Sequence, residues 1–178
     1  MKIETERLIM RELVPEDEQG MFELDSDPLV HKYLGETPIQ RIEQARDVIA
    51  TIRKQYIDNG IGRWAVIEKA SGDFIGWSGL KFIREYENNR INFYDVGYRL
   101  IPRYWGKGYA TESAKAAIRY GFEELKLDEI IGSANVENTR SRNALEKCGL
   151  VYVEKFYWKD IECDWLKITR EQWQNLQH

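Results

Sequence analysis

Two segments of the chain repeat their apolar residues at helical spacing. Ala45, Val48, Ile49, Ile52 and Tyr56 fall on one side of a 3.6-residue period and predict an amphipathic helix. Ala110, Ala114, Ala117, Ile118, Phe122 and Leu125 do the same, with Lys115, Arg119 and Glu123 off that stripe. A helix over 110–125 therefore lays its apolar side on a sheet. Residues 94–101 before it and 130–136 after it read as strands. Such a strand–helix–strand unit is a right-handed crossover that joins parallel strands. Residues 8–13, 64–68 and 74–82 add strands, the last two separated by Ser71-Gly72-Asp73, a hairpin signal. Residues 16–25, with Met21, Phe22 and Leu24, read as a short helix, and the polar run 84–92 as a loop. A helix over 139–148 stops at Gly149, a left-handed cap, before a closing hairpin of 151–158 with 163–169. The pattern is that of an α+β sheet, antiparallel at its ends with one parallel pair.

Between the strand 94–101 and the helix 110–125 stands Arg103-Tyr104-Trp105-Gly106-Lys107-Gly108-Tyr109-Ala110. A small-residue turn feeding a helix leaves several main-chain N–H groups unpaired and aimed at one spot. With the positive end of the helix dipole, those donors suit a phosphate or diphosphate. Gly106 and Gly108 let a ligand oxygen approach the main chain. Two familiar cradles do not fit. A nucleotide-triphosphate loop requires Ser or Thr after its lysine, and Lys107 is followed by Gly108. A dinucleotide fingerprint requires a third glycine where Thr111 stands, and an acid at the far end of the next strand, whereas Asp128 and Glu129 precede it.

A third cradle fits better. Trp105 to Ala110 resembles the coenzyme A motif [QR]-x-x-G-x-[GA] of the GNAT acetyltransferases, with Trp105 in the place of Gln or Arg. Y-W-G-K-G-Y-A is similar to the form used by the RimJ/RimL-like branch, the ribosomal-protein-alanine N-acetyltransferase type. Three more motifs stand in the order that branch has them. Thr5 to Arg11 resembles T-E-R-L-x-L-R, and Asp95-Val96-Gly97-Tyr98 resembles E-I-G-Y. Asn138 to Ser141, followed by Leu145 to Leu150, resembles N-x-x-S and then L-E-K-x-G-F. The resemblance implies a mostly antiparallel sheet of about six to seven strands with one splayed parallel pair, and helices on both faces. It implies one domain over residues 1–178.

Composition narrows the setting. The 178 residues, 43% apolar and 31% charged, are ordinary for a globular protein long enough to bury a substantial core. No apolar run approaches the ~20 residues of a membrane span, and the first residues lack a signal peptide's apolar stretch. Two isolated cysteines, Cys148 and Cys163, and two histidines, His31 and His178, supply neither a disulfide framework nor a metal centre. A reducing cytoplasm is the expected setting. A net charge of −4 argues against nucleic-acid partners. Arg99, Arg103, Lys107, Arg119, Arg140 and Arg142 nevertheless cluster around the cradle, as surface charges or as a group that draws in phosphates.

The resemblance implies transfer of an acetyl group from acetyl-CoA, with no metal, to a primary amine of a protein N-terminus or a small molecule. Tyr98 and Leu100 are then the main-chain contacts to the pantetheine arm. Arg103, Trp105, Gly106, Lys107, Gly108, Tyr109, Ala110 and Thr111 surround the diphosphate, and Asn138 either bonds pantetheine or caps its helix. The acceptor must be neutral to attack. Deprotonation at pH 7 costs about 1 kcal/mol for an α-amine and about 4.6 kcal/mol for a lysine-like amine. Asp95, in the place of the motif's Glu, is the expected base, with Glu85, Glu87 and Glu162 behind it; a structural carboxylate is the other reading. The family's acidic tyrosine is replaced by Leu145, which leaves Ser141 as the hydroxyl beside the leaving thiolate. That loss keeps a non-catalytic acyl-CoA sensor open as the alternative, and a homodimer is compatible with the resemblance.

Overall fold

A computed structural model describes residues 2–178. Eight strands form one sheet: β1 (Lys2–Glu4), β2 (Leu8–Glu12), β3 (Trp64–Glu68), β4 (Phe74–Ile83), β5 (Phe93–Leu100), β6 (Glu129–Asn135), β7 (Val151–Trp158) and β8 (Ile161–Thr169). Their order across the sheet is β1-β2-β3-β4-β5-β6-β8-β7. Every neighbouring pair is antiparallel except β5 with β6. The helices are α1 (Glu18–Asp25), α2 (Pro28–His31), α3 (Ile42–Asn59), α4 (Tyr109–Glu123), α5 (Thr139–Lys147) and α6 (Arg170–Leu176).

The α+β class and the single parallel pair match the sequence pattern. The strand count exceeds six to seven because β1, three residues with little burial, pairs with the end of β2. Its length leaves no alternation to read. The short helices α2 and α6 likewise carry no sustained apolar period; α2 starts on the Asp27 cap, whose carboxylate accepts from the Leu29 N–H. Among the described residues no helix is long and apolar enough to cross a membrane.

Two layers position the site. Helix α4 buries Ala114, Ala117, Ile118 and Phe122 against β4 and β5, so Val96, Leu80 and Leu100 face it. On the opposite face α1 packs against β4, and Arg99 of β5 donates to Asp25 at 2.9 Å. Side chains alternate along a strand, so Asp95, Gly97 and Arg99 point to the α1 side while Val96, Tyr98 and Leu100 point to the α4 side.

The run 84–92 is more ordered than its polarity predicts. Glu87 and Arg90 exchange both main-chain hydrogen bonds at 2.9 Å, with Asn88 and Asn89 at φ +48° and +61° between them. This is the type I′ turn that Asn tolerates, and the Asn-Asn pair was its sequence signal. Asn88 Nδ2 and Arg90 Nη1 both donate to Glu154 of β7 at 3.1 Å, which ties the turn to the sheet.

Candidate active site

After β5 the chain makes one 3-10 turn, Pro102–Tyr104, and then Gly106 and Gly108 adopt φ of +76° and +82°, where a side chain would be strained. Helix α4 makes its first bond from the Glu112 N–H to the Gly108 carbonyl, 3.0 Å. The amides of Tyr109, Ala110 and Thr111 therefore have no acceptor within the helix. A Cβ placed on Gly106 would meet nothing within 4 Å, so the space over this turn is open. The Tyr109 side chain faces away from it, buried and donating to Glu68 at 2.5 Å. Only its main chain belongs to the cradle.

The cradle is held from behind by Thr5 and Arg7 of the opening motif, whose role the motif alone did not give. Arg7 Nη1 donates to the Lys107 carbonyl at 2.8 Å, and its Nε and main-chain N–H both reach the Glu112 carboxylate, at 2.7 and 2.9 Å. The Thr5 hydroxyl donates to the same carboxylate at 2.5 Å. Burial works against the Glu112 charge, but the hydrogen bonds from Thr5 and Arg7 outweigh it and hold its pKa below the usual value. Thr5 and Arg7 thus fix the first turn of α4 through 105–107 residues of intervening chain.

The cradle opens onto a gap in the sheet. Strands β5 and β6 share one register pair, Asp95 with Ile131, and separate beyond it. The Ile101 N–H donates to the Ile75 carbonyl, which makes the neighbouring Leu100–Gly76 pair a non-hydrogen-bonded one. By the antiparallel alternation the main-chain groups of Leu100 and Tyr98 then point away from β4, into that gap. The Leu100 carbonyl is taken by the Trp105 indole N–H at 2.8 Å, leaving its N–H facing the opening. Here the structure brings together Tyr98, Leu100 and the 106–111 turn.

The Tyr98 side chain spans the two walls. Its hydroxyl lies 3.0 Å from the Ser141 carbonyl and 3.2 Å from the Ser141 Oγ in α5, and burial raises its pKa. Asn138 caps α5 by accepting from the Ser141 N–H at 3.2 Å. Its carboxamide NH2 stays available to a ligand. Leu145, in the place of the family's tyrosine, is buried in the core.

Asp95 is not a free base. Arg63 Nη2 meets its carboxylate at 2.7 Å, while Arg63 Nη1 donates to the Asp95 and Gly79 carbonyls at 2.8 and 2.6 Å. The guanidinium lies over the Gly79–Gly97 register pair, and a Cβ on Gly97 would come within 3.0 Å of it. Burial raises the Asp95 pKa, with Arg63 opposing. The carboxylate better suited to accept a proton is Glu87. Burial first, then the neighbouring Asp95 charge, push its pKa up to about 7, against the opposing pull of Lys81. Lys81 stands directly opposite Asp95 in the β4–β5 register, so those two share the α1 side of the sheet, and the charges of both act on Glu87. Glu85 is exposed, and Glu162 lies on β8.

The six clustered cations divide sharply. Arg99 is bound to Asp25 and Glu36, Arg142 to Glu146 and Asp164, and Arg119 stands 3.9 Å from Glu123. Arg103 donates to Glu23 of α1 at 2.5 Å, which draws it away from the cradle, and that bond raises its pKa. Among the described residues Lys107 and Arg140 meet no carboxylate. Each sits on a ring instead, Lys107 over Tyr104 and Arg140 over Trp105. Among the described residues no group of three or more His, Cys, Asp or Glu is arranged to hold a metal.

A family model described as "Acetyltransferase (GNAT) domain" matches residues 7–151. The chain is 34% identical over 187 aligned positions to the FsC-acetyl coenzyme A-N(2)-transacetylase of Aspergillus fumigatus, covering 98% of this chain and 79% of that one. It is 37% identical over 137 positions to the uncharacterized N-acetyltransferase p20 of Bacillus licheniformis, covering 77% and 75%. Its structure resembles a crystal structure of a GNAT-family acetyltransferase from Bacillus anthracis with a TM-score of 0.79 and 29% identity, covering 96% and 99%.

Proposed function

The chain belongs to the GNAT acetyltransferase family, and from that premise we propose that it moves the acetyl group of acetyl-CoA to a primary amine. The observation that carries this reading is the separation of β5 from β6 beyond Asp95, leading into a turn whose amides have no acceptor. A diphosphate on those amides places a pantetheine chain along the main chain of Leu100 and Tyr98, with its far end at the vertex. The A. fumigatus relative, an FsC-acetyl coenzyme A-N(2)-transacetylase, supports the same donor. Bound there, acetyl-CoA supplies an activated thioester. We place the protein in the RimJ/RimL-like branch on its motifs, as one domain over 1–178.

The residues divide the proton handling between the two faces of the sheet. Glu87, with a pKa of about 7, takes the proton of the incoming ammonium directly or through one water. Arg63 holds Asp95 in place and keeps its charge from being unpaired. Across the strand the Ser141 hydroxyl hydrogen-bonds the departing sulfur, oriented by Tyr98. A thiolate leaves readily, so a hydroxyl there need not be a strong acid. The carboxylates on the α1 side favour a cationic acceptor over a neutral one.

The test is release of free thiol from acetyl-CoA in the presence of α-amines, polyamines and amino-terminal peptides, with the acceptor's mass increase read in parallel. Turnover with at least one amine is the expected result. Tight binding of acetyl-CoA with no turnover across a broad panel overturns the enzyme reading and favours a sensor, the role that Leu145 in place of tyrosine would fit.

A further inference from the structure

The coenzyme A motif opens on Gln or Arg, and this chain has Trp105 there. An indole ring carries no charge, so the cradle lacks its usual polar side chain at that position. The structure shows what the ring does instead. Its N–H is fixed on the Leu100 carbonyl at 2.8 Å, and its face carries the guanidinium of Arg140, whose centre is 4.9 Å from the ring centroid. Arg140 is in the first turn of α5, two residues after the Asn138 cap, and is exposed. The other arginines near the cradle are each drawn to carboxylates, whereas Arg140 meets none among the described residues.

We propose that Arg140, seated on the Trp105 ring, is the cation that grips a phosphate of coenzyme A at the mouth of the cradle, replacing the motif's missing side chain. The inference rests on the acetyl-CoA reading above. Trp105 immediately precedes Gly106, so a group stacked on its ring borders the turn with the free amides. Stacking leaves the guanidinium edge, with its N–H donors, open to phosphate oxygens. It also restricts a long side chain before the ligand arrives, which lowers the entropy lost on binding. The charge and its support thus come from two segments 35 residues apart in sequence.

Calorimetric titration of the full chain with coenzyme A tests the pair, with thermal melts checking that each variant folds. Arg140→Gln weakens binding on the order of 10-fold, the scale of a charge-assisted hydrogen bond. It also flattens the salt dependence. Trp105→Leu, which removes no charge, produces a loss of the same order and the same flattening, and the double variant is no worse than either single one. Trp105→Phe keeps a ring under the guanidinium but not the indole N–H, and retains most of the affinity. Dephospho-coenzyme A identifies the phosphate: an equal loss assigns the diphosphate, and a loss confined to coenzyme A assigns the 3′-phosphate. Unchanged affinity in Arg140→Gln, or losses that multiply in the double variant, overturns the proposal while leaving the transferase reading intact. A wild-type protein that gives no heat with either ligand overturns both.

Discussion

Glu87→Gln lowers turnover on the order of 10²-fold or more and abolishes the rise in rate through about pH 7. The amide fills the same space as the protonated acid but cannot accept the acceptor's proton. The loss is larger for a lysine-like amine than for an α-amine, because the former keeps its proton more firmly by about 2.5 pH units. A pH profile of turnover with one acceptor of each kind reads both effects. The stability sign is separate and checkable. A carboxyl whose pKa is raised from 4.5 to about 7 on folding stabilises the native state below about 4.5 and loses that contribution as pH rises through about 7. In Glu87→Gln the urea midpoint should therefore depend less on pH across that window. Unchanged turnover in this variant would return the base assignment to another carboxylate.

The cradle was legible because its physics is local. Gly106, Gly108 and the start of a helix are adjacent in the chain, and three free amides follow from that adjacency alone. The parallel pair was legible for the same reason: the apolar stripe of α4 between two strand-like runs allows little else. The partners of those elements were not. Arg63 is a single arginine at the entry to β3, and nothing near it in sequence points to Asp95, 32 residues away. Without that contact Asp95 reads as a free carboxylate on a strand beside the cofactor. From sequence alone Glu87 stands behind Asp95, because the polar run 84–92 reads as a loop, although Asn88-Asn89 encodes a tight turn. Arg103 stands two residues before the motif, yet the 3-10 turn directs it to Glu23. Backbone function is written locally, while side-chain function depends on which segments the fold brings together.

Arg63→Met is expected to destabilise the protein by about 3–5 kcal/mol, the cost of leaving a buried charge without its partner. Only 11% of the Arg63 side chain and 17% of the Asp95 side chain are exposed, so water cannot fully replace the ion pair. The same change removes a side-chain donor from the Gly79 carbonyl and the cation that sits over the Trp77 ring at 5.2 Å. Burial already raises the Asp95 pKa, and losing Arg63 raises it further, so the native state gains affinity for a proton relative to the unfolded chain. The sign follows: the deficit is largest at neutral pH, where Asp95 must be ionised or take up a proton at a cost, and shrinks as the pH falls. Urea melts at neutral and mildly acidic pH measure this directly. Asp95→Asn in the Arg63→Met background should recover part of the loss at neutral pH, since an amide leaves no charge to bury. If Arg63→Met instead keeps its stability but loses turnover, Asp95 is not held by this pair and its carboxylate acts in the chemistry itself. The two outcomes cannot both occur, which makes this ion pair the place where structural and catalytic roles at the vertex of β5 and β6 separate.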